Sequence, residues 1–145
     1  MNQEIKPHET ALPERRDPSD LLSATPFAHF LGVQISLAGD ELTAHLPFQP
    51  HLIGNPMIPA LHGGVIGAFM EITAMAQLAF SEPRHPSPKP IGVSVQYLRP
   101  GKATSTYARA RLNRVGRTVA NVDVSAWQEV RDEPIATLQA HFLIG

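Results

Sequence analysis

Residues 63–80 read Gly-Gly-Val-Ile-Gly-Ala-Phe-Met-Glu-Ile-Thr-Ala-Met-Ala-Gln-Leu-Ala-Phe, a run that is apolar on nearly every side of a 3.6-residue spiral and carries one formal charge, Glu71. Such a run predicts a helix buried all round, entered at His62-Gly63-Gly64. The flanking segments alternate with period two instead. Val33 to Leu37 and Glu41 to Leu46 bracket Gly39-Asp40 and predict a hairpin. After the apolar run, alternation returns in four stretches: Ile91 to Tyr97, Lys102 to Leu112, Arg117 to Trp127 and Ile135 to Ile144. In the third, Ala120, Val122, Val124 and Ala126 share one face; in the fourth, Ala136, Leu138, Ala140, Phe142 and Ile144 do. Asp17-Pro18-Ser19-Asp20 opens a short first helix that Gly32 ends. The proline-bearing stretch 48–61 is an irregular loop, and Ser81 to Pro90 is a stiff connector. The order is two strands, one long helix, four strands. Tight turns between consecutive strands imply antiparallel pairing, so the class is α+β, an antiparallel β-sheet wrapped around one long central helix.

Composition narrows the function. The 145 residues are 43% hydrophobic and 17% charged, with a formal net charge of -1. That is the balance of one globular domain, expected over residues 21–145 behind a loose arm at 1–20. The charge gives no footprint for nucleic acid and no polybasic membrane surface. The first twenty residues lack the apolar core of a secretory signal, and the run at 63–80 is short for a bilayer and charged in its middle, so a buried helix and cytoplasmic residence are expected. Cysteine is absent, which removes disulfides, thiolate ligands and a catalytic thiol. The seven histidines show no HxH or HExxH spacing, and neither a GxGxxG after a strand, a GxSxG elbow nor a P-loop occurs. No metal and no cofactor are expected.

Glu71 is the residue that needs explaining, because an ionised carboxylate removed from water without partners is costly. It is paired, protonated, or facing a wet functional cavity. The glycines at the helix start favour the last reading, since they let a substrate approach N–H groups that can polarise a carbonyl. Three segments in this order, Leu61-His62-Gly63-Gly64 with an acidic residue nine positions after the histidine, Val95-Gln96-Tyr97-Leu98-Arg99-Pro100-Gly101, and Val115-Gly116-Arg117-Thr118-Val119, resemble the hotdog-fold thioesterases, in particular the phenylacetate-pathway type of acyl-CoA thioesterase. The resemblance spans about residues 21–145. It implies an acyl-CoA thioester substrate, polarisation of its carbonyl by the Gly63 N–H, and Glu71 as nucleophile or as the base that activates water. Gly63 and Glu71 lie eight residues apart, about 12 Å along a helix, whereas both must reach within roughly 3 Å of one reacting centre. One chain therefore cannot supply both groups to one site, and a homodimer with antiparallel helices, alone or as a dimer of dimers, can.

The supporting residues carry plainer readings beside the functional ones. His62 is expected to cap the helix at the site, with Gly64 beside it, and not to act as a base. Asn55 either positions substrate or is an ordinary turn residue. Where the family commonly places a Ser or Thr to assist the carboxylate, this chain has Pro90 and Met75, leaving Thr73 and Ser94 as substitutes. Arg99, Lys102, Arg114 and Arg117 flank turns as solvated charge or, as a group led by Arg99 and Arg117, hold the phosphates of CoA. The rival to hydrolysis is a non-catalytic acyl-CoA binding or sensing module on the same scaffold, which would want an output domain beyond the short arm.

Overall fold

The computed structural model describes residues 17–82 and 88–145. In chain order they form α1 (Pro18–Ser23), α2 (Pro26–Leu31), β1 (Gln34–Ala38), β2 (Glu41–Leu46), a single 3₁₀ turn (Pro50–Leu52), β3 (Ile53–Asn55), β4 (Ala60–Leu61), α3 (Gly63–Ser81), β5 (Lys89–Tyr97), β6 (Thr106–Val115), β7 (Val119–Trp127) and β8 (Ala136–Leu143). Six strands make one antiparallel sheet in the order β1-β2-β6-β7-β8-β5, and β3 with β4 forms a separate two-stranded ribbon. The sheet curls around α3, the arrangement the apolar run required.

The concave face is rich in alanine. Ala44, Ala108, Ala120, Ala126, Ala136 and Ala140 are all fully buried, and their small side chains leave room for Phe69, Met70 and Leu78 of the helix, which are equally buried. The alternation of the last two strands holds throughout: residues 120, 122, 124 and 126 and residues 136, 138, 140, 142 and 144 all lie inside. The convex face carries the polar partners, including Glu41 with Arg109 and Arg111 with Asp123, each at 3.3 Å.

Four details differ from expectation. The first helix is two, because Pro26 has no N–H to continue α1; Thr25 becomes the N-cap of α2, and Gly32, at φ +82°, closes it. β6 begins at Thr106, four residues after the expected Lys102. The proline-bearing loop folds partly into the β3–β4 ribbon. Finally, β5 and β6 are consecutive but not neighbours: the chain from Leu98 to Ser105 crosses the sheet end beneath the start of α3, where the Leu61 N–H donates to the Gly101 carbonyl at 2.9 Å. A Cβ on Gly101 would stand 2.9 Å from Ile66 Cδ1, so a side chain at this crossing would displace the tip of Ile66. Residues 83–87 of the expected connector lie outside the described residues.

Because Phe69 is fully buried where the sheet meets the helix, Phe69→Ala should cost about 3–5 kcal/mol. The exposed Arg114→Ala should change stability by no more than about 0.5 kcal/mol. Urea unfolding of the two variants checks both.

Candidate active site

The start of α3 is held from two sides before any ligand is considered. The His62 N–H donates to the Leu52 carbonyl at 2.9 Å, and Leu61 is tied to Gly101, so the ribbon and the crossing segment together fix where the helix begins. His62 is the N-cap, with extended backbone at φ -64° and ψ 131°, and its Nδ1 accepts the Gly64 N–H at 2.9 Å. An accepting Nδ1 assigns the ring proton to Nε2. The His62 carbonyl takes the Val65 and Ile66 N–H groups at 2.9 and 3.2 Å. Of the four N–H groups that open a helix without internal acceptors, three are thus used. The fourth, Gly63 N–H, finds no acceptor among the described residues. The first turn holds no acidic side chain, so the positive end of the helix dipole is left uncompensated there.

The sheet covers most of α3 and leaves one stripe partly open. Gly64, Gly67, Ala68, Glu71 and Met75 follow helical spacing along it and are exposed or half-buried, while Phe69, Met70, Thr73 and Ala74 are buried. Glu71 therefore lies on the stripe that begins at the unpartnered N–H. Among the described residues no group makes a hydrogen bond or ion pair with it. Along the stripe the separation from Gly63 is about 12 Å.

A cleft of about 330 Å³ opens at the same helix end, between Leu61, Gly63 and Ile66 on one side and Tyr97, Leu98 and Pro100 on the other. The Tyr97 hydroxyl donates to the Gly63 carbonyl at 2.7 Å. Tyr97 is a site residue that the chain pattern did not single out. Its signal was the segment Val95 to Gly101, legible as a motif but not as a contact with a glycine 34 residues earlier.

Comparison with known proteins now bears on this geometry. The family model of the acyl-CoA thioesterase N-terminal domain matches residues 54–143, from β3 to the end of β8. The chain belongs to this acyl-CoA thioesterase family. It is 30% identical to the medium/long-chain acyl-CoA thioesterase YigI of Escherichia coli K12, across 83% of this chain and 86% of that one. A solved protein of Chromobacterium violaceum is 35% identical over 88% of each chain, with a TM-score of 0.70. A phenylacetic acid degradation-related protein of Ralstonia eutropha JMP134, 24% identical, superposes with a TM-score of 0.75 over 89% of this chain and 100% of that one and shares its fold. The sheet wrapped on one helix is the hotdog fold, and the enzyme class is thioester hydrolase.

Within this thioesterase the remaining expected residues sort unevenly. Asn55 uses its Oδ1 to accept the Met57 N–H at 3.0 Å, a turn contact. Thr73 is turned away from the stripe: it is fully buried and its hydroxyl donates to the Phe69 carbonyl at 2.7 Å. Ser94 stands opposite Gln139 on the convex face, on the other side of β5 from Val95 and Tyr97. Neither hydroxyl is brought to Glu71, because side chains two positions apart on a helix point to different sides and neighbours on a strand point to opposite faces. Arg99 borders the cleft and donates to the Pro134 carbonyl at 2.6 Å, and Lys102 pairs with Glu129 at 3.7 Å. Arg114 and Arg117 flank the β6–β7 turn, at the end of the sheet where Lys89 meets Leu143; the Gly63 end is where Tyr97 meets Ala136. Eight strand residues separate those ends, roughly 26 Å, so one chain does not bring Arg117 to the cleft.

His62→Ala removes the cap acceptor and should lower stability by about 0.5–2 kcal/mol. His62→Asn, which restores a short acceptor at the N-cap, should recover most of it. Thermal unfolding of both variants measures the difference.

Proposed function

We propose that two copies of the chain form a two-fold dimer and hydrolyse medium- and long-chain acyl-CoA thioesters at two equivalent sites, each made from Gly63 of one subunit and Glu71 of the other. The observation that carries this reading is the pair of groups on one helix stripe that find no partner among the described residues, the Gly63 N–H and the Glu71 carboxylate, too far apart in one chain to act on the same atom. An antiparallel second helix brings the N-terminus of one α3 beside the Glu71 of the partner subunit. The sheet edge supports the same assembly. Val93 and Tyr97 on the helix side of β5 are 43% and 55% exposed, and Ile91 at its bulge 58%, on a strand whose outer edge has no neighbour among the described residues. An uncapped apolar edge of this kind is a template for pairing with another strand. The acyl preference follows the activity of the YigI relative.

In the reaction the thioester carbonyl oxygen accepts the Gly63 N–H, and negative charge grows there as the carbonyl carbon becomes tetrahedral. Glu71 of the partner subunit takes a proton from an attacking water or attacks the carbon itself. Collapse breaks the C–S bond; the CoA sulfur leaves and is protonated, and the acyl group leaves as a carboxylate, after hydrolysis of the mixed anhydride if Glu71 attacked directly. Two half-sites with Arg117 at the far end of each sheet also bring that basic turn of the partner to the side where Arg99 lies, a suitable place for CoA phosphates.

Thiol release from a panel of acyl-CoAs tests the chemistry without background from the cysteine-free chain. Glu71→Gln should lower kcat by about 10²- to 10⁴-fold and leave acyl-CoA binding, read by the rise in Tm, nearly intact. Retained turnover in that variant rejects Glu71 as the reacting group.

A mixing experiment tests the shared site. Gly63→Pro removes the N–H at the first helical position, where proline is tolerated. Refolding it one-to-one with Glu71→Gln, each inactive alone, should restore about a quarter of wild-type turnover, since half the dimers hold one intact site. No recovery rejects a site composed from two subunits.

A further inference from the structure

We infer that Tyr97 is the positioning residue for the Gly63 N–H donor, its hydroxyl holding the donor's own residue against the edge strand of the sheet. This rests on the reading of Gly63 N–H as the group that polarises the thioester. The peptide that carries this N–H joins His62 to Gly63. On one side it is fixed by the His62 carbonyl, which takes two N–H groups of the first helical turn. On the other side lies the Gly63–Gly64 peptide, whose N–H is held by the His62 ring at 2.9 Å. The Tyr97 hydroxyl holds the same peptide from its opposite edge, donating to the Gly63 carbonyl at 2.7 Å, and so limits the rotation that a residue with no side chain to pack would otherwise allow. The ring also lies along the helix: Cβ atoms placed on Gly63 and Gly67 would stand 3.4 and 3.5 Å from the Tyr97 hydroxyl, ordinary van der Waals contact.

The placement is difficult to explain by stability alone. Tyr97 is more than half exposed in the single chain, and exchanging one hydroxyl-to-carbonyl bond for bonds to water changes stability little. What water does not supply is a fixed direction. A bond from the most exposed strand to the one residue whose N–H is left open gives the donor a set orientation before substrate arrives, and such preorganisation is where hydrogen-bond geometry changes rate.

The test compares wild type, Tyr97→Phe, Gly63→Pro and Glu71→Gln for kcat, KM and Tm with one acyl-CoA, together with the carbonyl ¹³C shift of Gly63 in the first two. Tyr97→Phe keeps the ring wall of the cleft and deletes one oxygen. The expected result is a fall in kcat on the order of tenfold with KM within about twofold of wild type, an unchanged Tm, and a displaced Gly63 carbonyl resonance. Wild-type kcat in Tyr97→Phe overturns the proposal, and so does a loss of kcat that tracks a fallen Tm or a risen KM, the signature of a structural or wall role. The other variants separate the causes. Full turnover in Gly63→Pro overturns the donor reading and the proposal with it, while an inactive Gly63→Pro beside a fully active Tyr97→Phe overturns Tyr97 alone. Turnover in Glu71→Gln bears on the carboxylate, and the kcat of Tyr97→Phe still supports or overturns the positioning role.

Discussion

A helix that is apolar nearly all round has to be covered nearly all round, and the rest of the molecule is organised by how one sheet meets that demand. The alanines of β6, β7 and β8 let the backbone curl close enough to bury Phe69, Met70 and Leu78 together. A sheet of six strands can wrap most of α3 but not its whole circumference, and the uncovered line falls where the sequence has glycine, alanine and Glu71 instead of large aliphatic groups. The carboxylate explains why this line stays open. Closing the sheet over Glu71 would strand a charge without a partner, and that penalty exceeds the stabilisation from burying the small side chains beside it.

The second constraint is the accounting of backbone donors at the start of α3. A buried helix end with unsatisfied N–H groups is unfavourable, and here the chain answers with its own atoms: the His62 ring for Gly64 and the His62 carbonyl for Val65 and Ile66. That economy leaves one donor, Gly63, at the mouth of a cleft and on an uncompensated dipole. Since the neighbouring donors are already committed, a carbonyl entering the cleft in the proposed reaction would meet a single fixed N–H, with little of the binding free energy spent on arranging it. The cap and the candidate site are thus the same piece of structure, with the His62 ring holding the helix start beside the open N–H.

Where period decides structure, the chain was legible. Residues 120–126 and 136–144 turn their alternate side chains inward as written, and the 63–80 run is the one buried helix of its length among the described residues. Pairing order was not, because alternation says which face a strand presents and nothing about its neighbour: β5 reads like β8, yet β5 ends at the edge and leaves Ile91, Val93 and Tyr97 uncovered. The division of the first helix turned on a single missing N–H at Pro26, a local rule that the apolar pairs around it obscured. At the site, Gly63, His62 and Glu71 stood out because each breaks a pattern. Thr73 and Ser94 suited the chemistry by residue type, but within one chain neither hydroxyl faces Glu71, a matter of direction that only the fold gives. Tyr97 was hidden for the opposite reason: an aromatic on an alternating strand looks like packing until the glycine beneath it is known.

The two incomplete features of the single chain are complementary. Among the described residues the open stripe of α3 lacks a cover that tolerates a carboxylate, and β5 lacks a neighbour on its outer edge. In the proposed dimer a second copy related by a two-fold axis would answer both at once, because pairing β5 with β5 would lay the uncovered faces of the two sheets over each other's helices and bring each open N–H toward the other chain's Glu71. Covering the stripe with protein that also carries the missing reactant would differ from covering it with inert side chains: the carboxylate would be shielded on its flanks and left open only toward the cleft. A site assembled in that way would need no buried ion pair to hold its charge in place, and substrate would enter from the one direction that leaves the charge accessible.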